Sequence, residues 1–364
     1  MSNEIKMTTA PGALLSKAMM PGYKFRMVDA VQGEFAAINT PKLLTTMLSV
    51  DVNSHKSKSF LFDVEEMTAQ LMNGKSFTEV GNKFTQDVAS QLSFGIPSFG
   101  GAFSVNVADW NEKRIPNSTE MMDEEYVVAK QRMKVEAALD LLNELAIAQL
   151  ITADTNYVAG GPGAVYNYST VFTGSARPAA TTLNFTTNAD NRQKLREIIE
   201  DAIDVTTDAL AKRMKSASGY IFVCGKNLFT AIYGLEANVD SPRELRTPED
   251  FQSEGMPVIS AGDFSNFRAF SHSSGAMIVK YTANILGTKL IGDDDGYLIP
   301  VGVENMFSIE LAPAQTRDDA GKDAQALYMW TEADRRGIHF EFETNRLFMN
   351  RSPEAITAFT GVYA

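Results

Sequence analysis

The alternation of apolar and polar positions divides the chain into stretches of very different legibility. The clearest lies between 119 and 152. Val128, Val135, Leu139, Leu142, Ala146 and Leu150 are spaced 7, 4, 3, 4 and 4 apart, and Ala138, Leu141 and Leu145 widen the stripe. That period predicts one amphipathic helix of about 30 residues, or ~45 Å. Asp123, Glu124 and Glu125 in its first turns suit the positive end of the helix dipole. A helix of this length must lie across a sheet or between subunits. A second helix is predicted from 188 to about 216, with Leu195, Ile198, Ile199, Ala202, Ile203, Ala209 and Leu210 on one face and Gly219 beyond its end. Tyr220–Cys224 reads as a buried strand and Lys226–Tyr233 as a short helix. Together they suggest an α/β lobe.

Strands are predicted at Ser59–Val64, Phe103–Val107, Ala276–Tyr281 and Gly296–Val301, and as a long pair at Ala326–Trp330 and Gly337–Thr344. In the last of these Ile338, Phe340 and Phe342 face one way and His339, Glu341 and Glu343 the other, so one face is wet. A short helical turn over 40–50 would use Thr40 as cap and Pro41 at its first position. Residues 158–187 and 234–256 read as loops. Two stretches resist any period. Residues 1–40 carry turn signals at Pro11-Gly12 and Pro21-Gly22 and read as an extended arm. Residues 65–108 scatter Phe77, Phe84, Phe94, Phe99 and Phe103 among glycines and read as an excursion whose apolar residues find partners outside their own domain.

Composition narrows the chemistry. Of 364 residues, 44% are hydrophobic and 21% charged, which excludes a disordered chain. The net charge of −12 argues against a dedicated nucleic-acid binder. The single cysteine removes disulfide frameworks and cysteine-rich metal centres, and three histidines leave little for imidazole catalysis. No basic start with an apolar run of ~7–15 residues marks a secretory signal, and no run of ~20 apolar residues marks a membrane span. The chain is therefore expected in the cytoplasm, with Cys224 as a core thiol.

Each chemical motif has a plainer reading. Asn73-Gly74-Lys75-Ser76 has Ala69 where a phosphate loop needs its first glycine. Asp293-Asp294-Asp295-Gly296 has Gly302 where a calcium loop needs glutamate, and is expected to be an acidic turn with Gly296 at positive φ. His339, Glu341 and Glu343 are expected to be a solvated strand face. No catalytic, cofactor-binding or metal-binding residues are identified.

The C-terminal third carries a resemblance. Leu290-Ile-Gly-Asp-Asp-Asp-Gly-Tyr-Leu-Ile-Pro300, then Gly302, Phe307 and Ala312-Pro313-Ala314, then Gly337-Ile-His-Phe-Glu-Phe-Glu-Thr344-Asn345, Leu347, Arg351 and Pro353-Glu354-Ala355, resemble the major capsid proteins of tailed phages, specifically the lambda-type protein E family. Arg346 stands where the family has proline, and Ser352 separates Arg351 from Pro353. Thr40-Pro41, Leu43-Leu44 and Phe62-Asp63 are similar to the family's N-terminal entry.

The resemblance implies an α+β Hong Kong 97-type capsid fold. It would comprise an N-terminal arm (1–55), an extended loop with flanking strands (56–118), the spine helix of a peripheral domain (119–152), an axial α/β domain (153–304) and peripheral return strands beside the spine helix (305–364). It implies a head protein, found in the virion and assembled in the host cytoplasm. Such a protein builds an icosahedral shell of hexamers and pentamers around double-stranded DNA, which it encloses without sequence-specific binding. Scaffold, portal, head protease and decoration partners would follow, with no cofactor and no covalent cross-link. Phe77, Phe84, Phe94 and Phe99 are the expected inter-subunit anchors. Two rivals remain at this point: an encapsulin-like nanocompartment shell protein and an acidic cytoplasmic hydrolase.

Overall fold

In the computed structural model the described residues are 43–48, 50–65, 89–115, 119–158, 163–172, 176–185, 191–213, 215–237, 268–285, 287–316, 319, 321–333 and 336–363. A first short helix, α1 (Leu43–Met47), leads into β1 (Val50–Ser54), and β2 (Ser59–Glu65) pairs antiparallel with β3 (Ala89–Gly95). Next come β4 (Ser98–Asn106), α2 (Val107–Trp110) and the long α3 (Glu124–Thr152). The chain then runs through α4 (Tyr168–Val171), β5 (Thr181–Asn184), α5 (Asn191–Lys212), β6 (Gly219–Cys224) and α6 (Lys226–Ala237). It closes with β7 (Ala269–Ser271), β8 (Met277–Lys280), β9 (Asn284–Ile285), β10 (Thr288–Lys289), β11 (Asp295–Val301), β12 (Phe307–Leu311), β13 (Tyr328–Ala333), β14 (Gly337–Asn350), a 3-10 turn at Pro353–Ala355 and β15 (Thr357–Val362).

Two sheets organise these elements. In the first, β1 runs parallel to β12, and β12 pairs antiparallel with the C-terminal half of β14. The N-terminal half of β14 lies between β13 and β4. In the second the order is β5-β15-β11-β6-β8-β7. The largest apolar core spans both. It takes Ala146, Ile147, Leu150 and Ile151 from α3, Leu347 and Phe348 from β14, Ile221 and Val223 from β6 and Ile299 from β11. A second core lies under α5 and α6 (Leu195, Ile199, Leu228, Ile232, with Phe222 and Phe359). A third joins Tyr126 and Val127 of α3 to Val105, Ile338 and Phe340.

The predicted helix is present, capped by the Asp123 carboxylate, which accepts from the Tyr126 amide at 2.8 Å. Its burial differs from a single stripe. Near the C-terminal end Ala146, Ile147, Ala148, Leu150 and Ile151 are all buried, because that end is enclosed by both sheets. The second helix and the β13–β14 pair also stand where the period placed them, with Ile338 and Phe340 buried and His339 and Glu341 exposed.

Three expectations need correction. The loop reading of 158–187 missed α4 and β5, elements too short to carry a period. Residues 305–364 do not all return to the long helix: β15 pairs with β11 and β5 in the second sheet, so the chain crosses from one sheet to the other through the 3-10 turn. Gly296 is not in the left-handed region. It is a strand residue whose Cβ would come 2.7 Å from both Leu228 and Phe222, so glycine is needed there for packing. The acidic turn before it works through its backbone. The Asp293 carbonyl accepts the Asn227 and Leu228 amides at the start of α6 (3.0 and 3.1 Å), and the Asp294 carboxylate accepts from Asn227 Nδ2 at 2.9 Å.

Candidate functional site

The polar groups that the fold buries most deeply sit at junctions between elements. Glu144, fully buried in the C-terminal half of α3, is the first. Its Oε1 accepts from the Leu44 amide (2.9 Å) and the Tyr281 hydroxyl (2.8 Å); its Oε2 accepts from the Thr45 amide (3.0 Å) and hydroxyl (2.8 Å). A carboxylate on another helix therefore satisfies the first amides of α1. The Tyr281 hydroxyl is pushed up by burial and by Glu144 itself, so it stays a donor. Thr40, expected as the cap of this helix, and Pro41, expected at its first position, lie outside the described residues. The segment that follows residue 42 is thus pinned to the long helix and, through Tyr281, to the end of β8.

Glu310 on β12 is the second junction. It accepts from Asn53 Nδ2 (3.0 Å), Ser308 Oγ (2.6 Å) and Arg351 (2.8 Å), and meets His55 Nε2 at 2.7 Å. Burial pushes this carboxyl up, but the hydrogen bonds from Ser308, His55, Asn53 and Arg351 outweigh it and hold the group below the ordinary carboxylate range. The same residues brace the hairpin formed by β2 and β3. The His55 ring stacks on Phe60 at 4.3 Å, and the Arg351 guanidinium lies 4.8 Å over the Phe62 ring.

Phe94 closes that brace. It is 1% exposed and meets Phe60 (5.7 Å), Tyr166 (5.0 Å), Phe172 (6.2 Å) and Tyr168 (6.5 Å), while the Tyr166 hydroxyl accepts from the Gly95 amide at 2.7 Å. Phe94 is therefore a core residue of its own subunit and has no surface to offer a neighbour. The sequence reading missed this because its partners lie 30 to 80 residues away in either direction. Phe99 stacks on Tyr157 at 6.1 Å within the chain. Phe77 and Phe84 lie outside the described residues.

Arg346 is the third junction, at the position where the resemblance expects proline. It is 4% exposed and donates to Asn143 of α3 (2.5 Å), Thr344 (2.8 Å) and the Ala326 carbonyl (2.7 Å). Burial lowers it to about 10, with Asp140 opposing. Arg177 closes the end of α3 by donating to the Leu150 and Ile151 carbonyls (2.9 and 2.5 Å), beside Asp154 at 3.6 Å.

Glu144, Glu310, Arg346 and Arg177 join α1, β1, the hairpin, the long helix and the two sheets to one another. Cys224 is fully buried, its thiol pushed up by desolvation and donating to the Val279 carbonyl at 3.5 Å. Among the described residues no group of three or more His, Cys, Asp or Glu side chains could hold a metal ion, and no helix is long and apolar enough to cross a membrane.

A braced hairpin, a pinned N-terminal segment and a long helix under a long-stranded sheet are arranged as in the Hong Kong 97-type capsid fold. The comparisons agree. The phage major capsid protein E family matches residues 34–360, and the chain belongs to that family. A solved structure described as the capsid protein of a prophage of E. coli CFT073 superposes with a TM-score of 0.55 at 11% identity, covering 91% of this chain and 96% of that one. The capsid of cyanophage P-SCSP1u (TM-score 0.47, 10% identity, 96% and 94% covered) and the SrpI encapsulin of Synechococcus elongatus PCC 7942 (0.44, 11%, 93% and 96%) are also similar, at scores that carry no further argument. No curated protein matches. The protein is a phage major capsid protein: copies of it assemble into the shell of a virion, and its role is structural.

Proposed function

We propose that this subunit builds an icosahedral head around double-stranded DNA, and that residues 1–42 and 66–88 supply ties between neighbours. The observation that carries the reading is the brace at the base of the β2–β3 hairpin. Seven register pairs from Ser59↔Gly95 to Glu65↔Ala89 rise from a buried aromatic cluster and end at residues 66–88. A strand pair of seven residues projects ~23 Å, enough to carry Phe77 and Phe84 towards another subunit. Residues 1–55 would act as an arm, 153–304 as the axial part and the long helix with β12–β14 as the peripheral part. Scaffold, portal and decoration partners, and assembly in the host cytoplasm, belong to this reading. The acidic charge limits sticking to the packaged polyanion.

Replacing residues 66–88 by a two-residue turn tests it. The variant should keep the unfolding transition of the wild-type subunit and lose closed shells in negative-stain microscopy. Wild-type-like shells from that variant would overturn the reading. Particles carrying DNA, rather than a co-purifying enzyme, are the expected contents.

A further inference from the structure

His55 and Arg351 each have two sides in use. On one side they meet Glu310 of β12: His55 Nε2 lies 2.7 Å from Oε2, and Arg351 donates to Oε1 at 2.8 Å. Asn53 Nδ2 and Ser308 Oγ share Oε1 at 3.0 and 2.6 Å, so the carboxylate is tied to β1, to its own strand and to the residue that follows β14. Its side chain is 2% exposed and cannot shift without leaving these donors unsatisfied. On the other side each residue covers a ring of β2. The His55 ring is stacked on Phe60 with 15° between the planes, and the Arg351 guanidinium lies over Phe62.

Phe60 and Phe62 stand two residues apart on one face of β2, and both rings meet Phe94. The hairpin starts just below them, where the Ile96 amide donates to the Lys58 carbonyl at 2.7 Å. Lys58 ties that level to Ser98 (2.7 Å) and Glu343 (3.5 Å). A single contact beyond this pivot would leave the hairpin free to swing; two contacts ~7 Å apart along the strand fix its direction. The neighbouring rings act differently. Phe62 meets Phe172 at 5.8 Å and Phe94 meets Tyr166 at 5.0 Å, but apolar burial is non-directional and tolerates sliding. His55 and Arg351 instead join a fixed charge of the body to rings of the hairpin. A slip of ~1 Å over the ~7 Å baseline swings the end of a ~23 Å strand pair by ~3 Å.

We propose, on the reading that residues 66–88 tie neighbouring copies, that His55 and Arg351 are positioning residues for assembly: they set the angle at which the β2–β3 hairpin leaves the body, and through it the curvature of the shell. A tie made beyond the end of the hairpin joins different surfaces of two copies. Such contacts close only when the rotation from copy to copy is right. An angular error at the hairpin base is repeated in every subunit. Its result is therefore a shell of altered or mixed diameter, because misdirected ties still join copies.

The test separates the two sides of the clamp. His55→Gln with Arg351→Lys leaves Glu310 a hydrogen-bond donor and a cation, but neither new side chain covers a ring. The denaturation midpoint of the free subunit should stay close to wild type, while the amides of 59–65 and 89–95 exchange hydrogen faster. Shells of the full-length variant, expressed with its assembly partners, should lose the single wild-type diameter in cryo-electron microscopy. Phe62→Leu is a second variant, for use if the first does not fold. It keeps an apolar side chain but removes the ring under Arg351, and should change the diameter in the same way. Lys56→Gln removes only an exposed pair with Asp323 (3.9 Å) beside the clamp and should keep the wild-type diameter. A single wild-type diameter with unchanged exchange, or complete loss of shells from a variant that folds, would overturn the proposal and leave the shell reading standing. Wild-type protein that forms no shells would overturn both.

Discussion

Glu144 shows how one side chain can settle the placement of a distant segment. Its two oxygens take four donors from α1 and from Tyr281. Glu144→Ala leaves those donors buried without an acceptor and should cost about 3 kcal/mol in subunit denaturation, with Glu144→Gln losing less because one acceptor remains. Equal losses for the two variants would mean that the carboxylate does not hold α1. Glu310 makes a prediction of a different kind. Its native carboxyl is depressed, so it contributes stability above the unfolded carboxyl's pKa of ~4.3, and that contribution is lost as the pH falls through the lower native value. The denaturation midpoint of the wild-type subunit should therefore drop on acidification below that range, and Glu310→Gln should flatten the drop. An identical acid slope in both proteins would remove Glu310 from the account. At Gly296 the constraint is space: Gly296→Ala drives a methyl into Leu228 and Phe222 and should destabilise by about 1–3 kcal/mol.

At the scale of elements, Phe94 separates core from contact. Phe94→Ala empties the cluster at the hairpin base and should cost about 3–5 kcal/mol in subunit stability, whereas Phe77→Ala and Phe84→Ala should leave subunit unfolding unchanged and reduce assembly. The reverse pattern, seen in calorimetry and sedimentation, would refute the brace. The same element shows what could be read in advance. α3, α5 and the β13–β14 pair were legible because their apolar residues recur with a fixed period along a single stretch of chain, although α3 is buried on more than that stripe near its C-terminal end. β1 was not, because only its pairing with β12 defines it, and Asn53 meets Glu310 across 257 residues. β5 is four residues long and carries one buried side chain, Leu183. In the sequence Glu144 merely interrupts apolar neighbours, and nothing local says that a helix N-terminus from a hundred residues upstream will use it. Arg346 looked like a departure from a motif, and its three hydrogen bonds give it a place of its own between β14 and α3.

Over the whole molecule, the absence of converging titratable groups in the sequence and the concentration of buried charge at junctions fit together. The buried carboxylates and guanidinium groups fix the relative positions of α1, β1, hairpin, long helix and sheets, so that contacts made at the periphery are transmitted through a closely packed body. Many modest contacts then sum in a closed shell, since each subunit is held by several neighbours at once. The most direct measurement is cryo-electron microscopy of the purified full-length protein expressed with its assembly partners. Uniform closed shells, in which the β2–β3 hairpin of each subunit reaches over a neighbour, are the predicted result. A dispersed monomer or small oligomer under the same conditions, with the hairpin folded back on its own subunit, would contradict the account.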